Sequence, residues 1–149
     1  MLLKNILQPS QVIYNSEINS KKQVLQQISN IFSEQAPWLK NKDIFNSLLE
    51  RERIGSTAVG HGIAIPHCRL QDISKPVGTL LVLKNNIDFN SVDNQPVNII
   101  FALMMPEKNH KLHLQLLGRI AEVLNQESIR TEISKIQDSS ELFDIINKY

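Results

Sequence analysis

The sequence VNIIFALMM (97–105) decides the fold class of this chain, and VGTLLVL (77–83) supports it. Only Asn98 interrupts the apolar run of the first stretch. Side chains point alternately to the two sides of a sheet, so a strand with successive apolar residues has both faces covered. Both stretches therefore predict interior strands, and the turn-forming residues of IDFNSVDNQP (87–96) predict the loop between them.

Segments with a helical spacing of apolar residues lie on both sides of these strands in the sequence. Ser20 opens a capping box at a helix start, and a second helix follows Asn41 and is suited to end at Gly55. Further helices are predicted after Pro106 and after Asp138. This arrangement predicts an α/β fold, in which residues 1–149 form a single domain with a mixed β-sheet flanked by helices on both faces. The apolar positions behind these predictions are Val24, Leu25, Ile28, Ile31, Phe32, Ile44, Phe45, Leu48, Leu49, Leu116, Leu117, Ile120, Leu124, Ile129, Ile133, Ile136, Leu142, Phe143, Ile145 and Ile146.

The composition argues against several classes of protein. Sixteen Lys and Arg residues face 15 Asp and Glu residues, which leaves no global positive field to attract nucleic acid. The longest apolar run, 99–105, is seven residues and too short for a membrane span, and the N-terminus lacks a secretory signal. Cys68 is the one cysteine, so an internal disulfide is excluded. We therefore expect a cytoplasmic protein without direct membrane insertion.

The segment RERIGSTAVGHGIAIPHCR (51–69) is the most informative for chemistry. We expect a short strand over 63–65 that Pro66 stops, with His67 at its end and at the sheet edge. The glycines before it would let backbone N–H groups approach an anion closely. A neutral imidazole is abundant at cellular pH and can attack phosphorus without a separate base. This segment therefore indicates phosphoryl transfer through His67.

Two more side chains are candidates for the same site. His113 falls in register with Leu116 and Ile120, so it lies on the core-facing side of its helix and must find a partner or the rim of a cleft. A core histidine with satisfied hydrogen bonds is the alternative. Arg51 could offer a forked set of donors to phosphate oxygens, or it could be a solvated residue at a helix end.

The run GHGIAIPHC (60–68), preceded by ERERIGSTAV (50–59), resembles the phosphorylation-site signature of the mannitol/fructose/nitrogen-type enzyme IIA domains. These domains belong to the bacterial phosphoenolpyruvate-dependent phosphotransferase system. The stretches VDNQPVNIIFALMMP (92–106) and HLQLLGRIAEVL (113–124) resemble two further blocks of the family, so the similarity covers nearly the whole chain. His61 and Cys68 depart from the commoner Asn and Gly at these positions.

The resemblance implies a phosphotransferase that needs no metal and no organic cofactor. It implies that His67 accepts the phosphoryl group on its distal ring nitrogen, with His113 as auxiliary histidine and Arg51 as phosphoryl-binding residue. The implied donor is HPr, a small phosphocarrier protein, or its nitrogen-branch counterpart. It leaves open whether His61 or Cys68 modulates the site. A metal site built from His61, His67, His110 and His113 is disfavoured, because the histidines follow no recognisable ligand pattern.

Two roles share this chemistry and differ in the recipient of the phosphoryl group. The sequence PSQVIYNSEINSKKQVLQQISNIF (9–32) and the IGSTAVGHGIAIPH form of the signature resemble the nitrogen-regulatory branch more than the sugar-specific one. The end of the chain at Tyr149, without an attached domain, favours the same branch. Its targets would include sensor kinases or potassium transporters. The alternative is a fructose- or mannitol-type IIA component that passes phosphate to a IIB domain for sugar uptake.

Overall fold

The computed structural model describes residues 2–149, in which six strands form one mixed sheet. The order across the sheet is β1-β5-β6-β3-β2, and β4 also pairs with β6, beyond the end of β3. β5 is antiparallel to β6, whereas β3 and β4 are both parallel to β6. The predicted α/β fold with a mixed sheet is confirmed. The strands are β1 (Val12–Ser16), β2 (Ala58–Gly60), β3 (Ile63–Ala64), β4 (His67–Leu70), β5 (Val77–Ile87) and β6 (Val97–Pro106).

Helices cover both faces of this sheet, and the side chains of β6 alternate between the two layers. Ile100, Ala102 and Met104 pack against α1 and α2, whereas Phe101 and Leu103 pack against the helices of the opposite face. This double burial explains the uninterrupted apolar run of β6. None of the helices in residues 2–149 has both the length and the apolar composition needed to cross a membrane. The helices are α1 (Lys21–Gln35), α2 (Asn41–Ile54), α3 (His110–Leu124), α4 (Glu127–Lys135) and α5 (Ser139–Ile146).

The helix starts lie where the sequence predicts them. Ser20 Oγ accepts a hydrogen bond from the Gln23 amide at 3.2 Å, and an Asp138 oxygen accepts one from the Glu141 amide at 2.8 Å. Each such cap stabilises a helix by about 1 kcal/mol, because it satisfies an amide that has no partner within the helix. Gly55 follows directly after α2, as expected.

Sequence analysis does not predict three short strands, β1, β2 and β4, and β4 carries the candidate site. β1 contains Asn15 at a positive φ of 66°, which disturbs its alternation, and β2 has only three residues. β3 ends at Ala64, one residue earlier than predicted. Pro66 interrupts the sheet but does not end it: its carbonyl oxygen accepts a hydrogen bond from the Leu103 amide at 2.9 Å, and β4 starts at the next residue.

A tryptophan joins two segments next to β4. Trp38 lies in the connection between α1 and α2, and its indole Nε1 donates a hydrogen bond to the Asp72 carbonyl oxygen at 2.8 Å. Asp72 belongs to the loop that follows β4. This contact attaches the α1–α2 connection to the edge of the sheet at which the candidate site lies.

Candidate active site

His67 is the first residue of β4, so the expectation that it ends a strand is wrong. It lies opposite Leu103 of β6, and Arg69 lies opposite Met105. Both partners on β6 pack on the α3 side of the sheet. Because side chains alternate along a strand, His67 and Arg69 point to the α3 side, while Cys68 packs with α1 and α2.

The ring of His67 is held in one orientation and one tautomer. Its Nδ1 lies 2.8 Å from the Ile65 carbonyl oxygen. A carbonyl oxygen only accepts hydrogen bonds, so Nδ1 carries the proton and the distal Nε2 carries the lone pair. The Arg51 Nε–H group points at this Nε2 from 3.3 Å, as a donor does toward a lone pair. Nε2 is therefore the ring nitrogen that keeps a lone pair facing the Arg51 side chain.

Arg51 reaches this position from the last turn of α2. Its Nη1 donates to the Gly55 carbonyl oxygen at 2.8 Å, which fixes the guanidinium beside the end of its own helix. The Arg51 side chain is therefore not simply solvated at the helix end. It presents a cation and further N–H donors next to the ring nitrogen at which a phosphoryl group would be bound.

His113 stands beside His67, on the first turns of α3. The centroids of the two rings are 5.1 Å apart and their planes are tilted by 59°. Nε2 of His113 is buried and is the one buried side-chain nitrogen or oxygen in residues 2–149 without a hydrogen-bond partner. A buried polar atom without a partner costs free energy, so this nitrogen is available to a hydrogen-bonding group that enters beside His67.

Both histidines have lowered pKa values. Burial is the main cause at His67, and the Arg51 charge lowers its pKa further, against an opposing effect of the hydrogen bond to Ile65. Burial, followed by the charges of His67 and Arg69, lowers the pKa of His113 to about 4. Both rings are therefore neutral at cellular pH, as a nitrogen nucleophile must be.

These groups line one cleft of about 430 Å³ between α2 and α3. The two arginines of its lining, Arg51 and Arg69, are matched in number by two carboxylates, Glu50 and Glu107. The charges of the arginines and carboxylates that line the cleft therefore cancel. The described residues that line it are Ser47, Glu50, Arg51, Ile54, His67, Cys68, Arg69, Glu107, His110 and His113.

The glycines expected to approach an anion do not line this cleft. Gly60 and Gly62 have positive φ values of 92° and 77° and form the turn between β2 and β3. A Cβ on Gly62 would lie 3.1 Å from Asn98 Oδ1, at the far end of β6. His61 is exposed on the same turn, and its amide donates to Asp93 Oδ2 at 3.2 Å. Gly60 and Gly62 therefore shape a tight hairpin outside the cleft and do not offer it their backbone amides.

Sequence analysis predicted the character of some other residues near the site and overlooked others. Burial raises the pKa of the Cys68 thiol to about 12, which fits a small buried side chain better than a reactive thiol. His110 is an exposed first residue of α3, as expected. Sequence analysis overlooked Arg69 and the buried Glu52. The spacing of Arg69, two residues after His67 on a strand, is the signal that would have found it.

The four histidines do not gather into a metal site. His61 lies on the β2–β3 turn, away from the cleft that the other three share. Within residues 2–149, no three side chains of His, Cys, Asp or Glu come together in a metal-binding group. The chemistry that the cleft offers is that of a neutral nucleophilic imidazole beside a cation and a second imidazole.

Comparison with known proteins adds to this geometry. A nitrogen regulatory protein of Pseudomonas aeruginosa is 38% identical over 144 residues, which cover 97% of this chain and 94% of the relative. The crystal structure of nitrogen regulatory protein IIA-Ntr from Neisseria meningitidis superposes with a TM-score of 0.90 at 30% identity, over 97% of this chain and 98% of the other. Mannitol IIA from Escherichia coli, in its complex with phosphorylated mannitol IIB, shares the fold with a TM-score of 0.80 at 13% identity, over 96% and 98% of the chains.

The family "Phosphoenolpyruvate-dependent sugar phosphotransferase system, EIIA 2" matches residues 5–149, which include every side chain of the cleft. By this match the chain belongs to the EIIA 2 family of the phosphotransferase system, whose members transfer phosphoryl groups between proteins.

Proposed function

We propose that this chain is a histidine phosphoryl carrier that accepts a phosphoryl group on Nε2 of His67 and acts mainly as a nitrogen-branch regulatory protein. The observation that carries the proposal is the hydrogen bond between His67 Nδ1 and the Ile65 carbonyl oxygen, which leaves Nε2 as the nucleophile. The whole chain, residues 1–149, would act as one EIIA domain, since the family match starts at residue 5 and runs to residue 149.

The proposed transfer needs no general base. The Nε2 lone pair forms the new N–P bond while the N–P bond of the donor's phosphohistidine breaks and returns its electron pair to the donor nitrogen. Positive charge that develops on the ring is stabilised by the carbonyl oxygen of Ile65, which already accepts the Nδ1 proton. Such transfers pass through a loose transition state, so the protein supplies positioning and charge for the equatorial oxygens.

Arg51 and His113 have separate roles in this proposal. Arg51 neutralises part of the charge that arrives with the phosphoryl group, about two negative charges. His113 gains the partner that its buried Nε2 lacks, through a hydrogen bond to a phosphoryl oxygen. A cleft whose arginine and carboxylate charges cancel gains negative charge once His67 is phosphorylated, so a docked partner senses a changed field.

The donor we propose is an HPr-like phosphocarrier protein, and the proposed setting is the cytoplasm. The downstream partners we propose are regulatory targets such as sensor kinases or potassium transporters. In catalytic terms the protein would be a phosphotransferase whose own His67 is transiently modified. The regulatory branch is favoured by the identity to nitrogen regulatory proteins, 38% and 30%, against 13% to the mannitol IIA of similar fold.

Phosphorylation of purified protein tests the acceptor. Incubation with phosphoenolpyruvate, enzyme I and an HPr-like carrier should add one phosphoryl group, stable to base and labile to acid. Mass spectrometry should place it on His67, and His67→Ala should abolish it. His61→Ala is the matched control, since His61 is exposed on a remote turn. Labelling of His61 or His113 in the wild type would refute the assignment.

A transfer assay separates the two branches. Phosphorylated protein is incubated with membranes of the native host and with fructose or mannitol, and sugar phosphate is measured. We expect no transfer above the rate of the His67→Ala protein. Efficient sugar phosphorylation would refute the regulatory role and leave the phosphoryl carrier intact.

A further inference from the structure

The Arg69 side chain faces the same cleft as His67, but it is not bound to His67. The two side chains lie on the same face of β4, two residues apart, and both line the cleft. The Arg69 guanidinium is exposed, and its Nη1 contacts Nδ1 of His110 and lies 3.4 Å from Nε2 of the same ring. Among the described residues, no carboxylate forms an ion pair with Arg69. Its cation is therefore available to an anion in the cleft.

The charge balance of the cleft leaves a role for this cation. A phosphoryl group on His67 brings about two negative charges, and Arg51 supplies one positive charge. Part of the Arg51 donor set is already used, because Nη1 is bound to Gly55. His113, whose pKa is lowered to about 4 while His67 is unmodified, offers a hydrogen bond from its ring. Of the described residues that line the cleft, Arg69 is the only one besides Arg51 with a permanent positive charge.

We propose that Arg69 is a second cationic contact of the phosphoryl group on His67, held on His110 while His67 is unmodified. The proposal rests on the proposed function of His67. The exchange needs rotation of the Arg69 side chain alone, since the pairing of β4 with β6 holds the backbone. His110 accepts from the guanidinium without carrying a negative charge, so it holds Arg69 more weakly than a phosphoryl dianion does.

The pKa of the phosphoryl group tests the contact directly. The protein is phosphorylated with phosphoramidate, which requires no protein donor, and the ³¹P signal of phosphorylated His67 is titrated across the neutral range. The signal is assigned by its absence in His67→Ala. A nearby cation lowers the pKa of an acidic group, so Arg69→Gln should raise the phosphoryl pKa by about one unit. Arg69→Lys keeps the charge and should raise it less.

The rate of acceptance gives a second readout. A lost hydrogen bond to a charged group costs about ten- to hundredfold, and Arg69→Gln should slow acceptance from the protein donor by that factor. Arg119→Gln is the matched control, because Arg119 lies on α3 outside the cleft and pairs with Glu122 at 3.4 Å. It should leave both the pKa and the rate unchanged.

The outcomes separate this inference from the proposed function. A phosphoryl pKa in Arg69→Gln equal to that of the wild type would overturn the contact, although His67 would still be the acceptor. If neither phosphoramidate nor the protein donor produces phosphohistidine at His67 in the wild-type protein, the Arg69 contact and the proposed function are both overturned. If Arg69→Gln unfolds, the phosphoryl pKa of Arg69→Lys is compared with that of the wild type instead. Because lysine has a shorter reach than arginine, this pKa should still be raised.

Discussion

Burial and hydrogen bonding act on His67 in opposite directions. Burial disfavours the imidazolium, while the hydrogen bond to Ile65 favours it, and the net result is a lowered pKa. The same hydrogen bond selects the tautomer, so a single backbone carbonyl decides which nitrogen is free to react. The sequence identifies His67 through its family signature, but the tautomer depends on a backbone direction that only the folded chain reveals.

The guanidinium of Arg51 makes two contacts that a lysine cannot reproduce together. Arg51→Lys keeps the charge but loses the fork that joins Gly55 and His67. We expect Arg51→Ala to slow phosphoryl acceptance by roughly two orders of magnitude, and Arg51→Lys to recover only part of this loss. Stopped-flow or quench kinetics with the protein donor measure both. Equal rates for Lys and Arg at this position would show that charge alone suffices.

The lowered pKa values of His67 and His113 predict a pH dependence of stability. Each ring binds a proton less readily in the folded protein than in the unfolded chain, where its pKa is about 6.5. The unfolded chain therefore takes up more protons as the pH falls below about 6.5, and the free energy of unfolding decreases down to about pH 4. Above about pH 6.5 neither histidine contributes to the pH dependence of the free energy of unfolding.

Denaturant unfolding at a series of pH values measures this effect. His113→Gln should give a flatter dependence between these limits than the wild type. His61→Gln, which removes an exposed histidine outside the cleft, should reproduce the wild-type slope. An unchanged slope in His113→Gln would show that His113 has an ordinary pKa in the folded protein.

At the scale of elements, the buried carboxylate of Glu52 joins α1, α2 and the start of β2. Lys21 Nζ lies 2.9 Å from Glu52 Oε2, which also accepts from the Thr57 amide at 3.1 Å. The Thr57 hydroxyl donates to Oε1, and the Lys21 ammonium lies 4.7 Å from the centre of the Phe89 ring. This network fixes the segment that supplies the Gly55 carbonyl to Arg51.

Removal of Glu52 should therefore destabilise the fold and loosen the site. Loss of one partner of a buried ion pair leaves the other without compensation, so Glu52→Ala should cost roughly 3 kcal/mol of unfolding free energy. Glu50→Ala changes an exposed carboxylate on the same helix and should cost less than about 0.5 kcal/mol. Chemical denaturation compares the two, and similar values for both variants would contradict a central role of Glu52.

The long elements could be predicted from the sequence and the short ones could not. β6 and α1 carry enough apolar residues for their period to be unambiguous, and their bounds are correct to within a few residues. β4 has four residues, of which His67 and Arg69 are polar and face a cleft. His67 and Arg69 alternate with Cys68 and Leu70, but four residues are too few for this period to distinguish a strand from a loop.

At the scale of the whole molecule, the site lies where two helical layers meet at one edge of the sheet. Arg51 comes from the layer on one face, His113 from the layer on the other, and His67 from the strand between them. Helical register could predict that His113 faces inward, but the cleft into which it faces depends on how α3 crosses the sheet. Sequence analysis overlooked Arg69 because its position on the same face as His67 depends on β4 being a strand.

The hydrogen bond between Trp38 and Asp72 allows partner binding to be followed by tryptophan fluorescence. The indole is the only one in the sequence, it is 64% exposed, and it is hydrogen-bonded to the loop that follows β4. Excitation chosen for the indole and not for the two tyrosines therefore reports from a single fluorophore on the loop that follows the strand of His67. A carrier protein that docks over His67 should shift or quench this emission, and Trp38→Phe should be silent under the same conditions. Binding could then be followed in real time with native protein and without a dye.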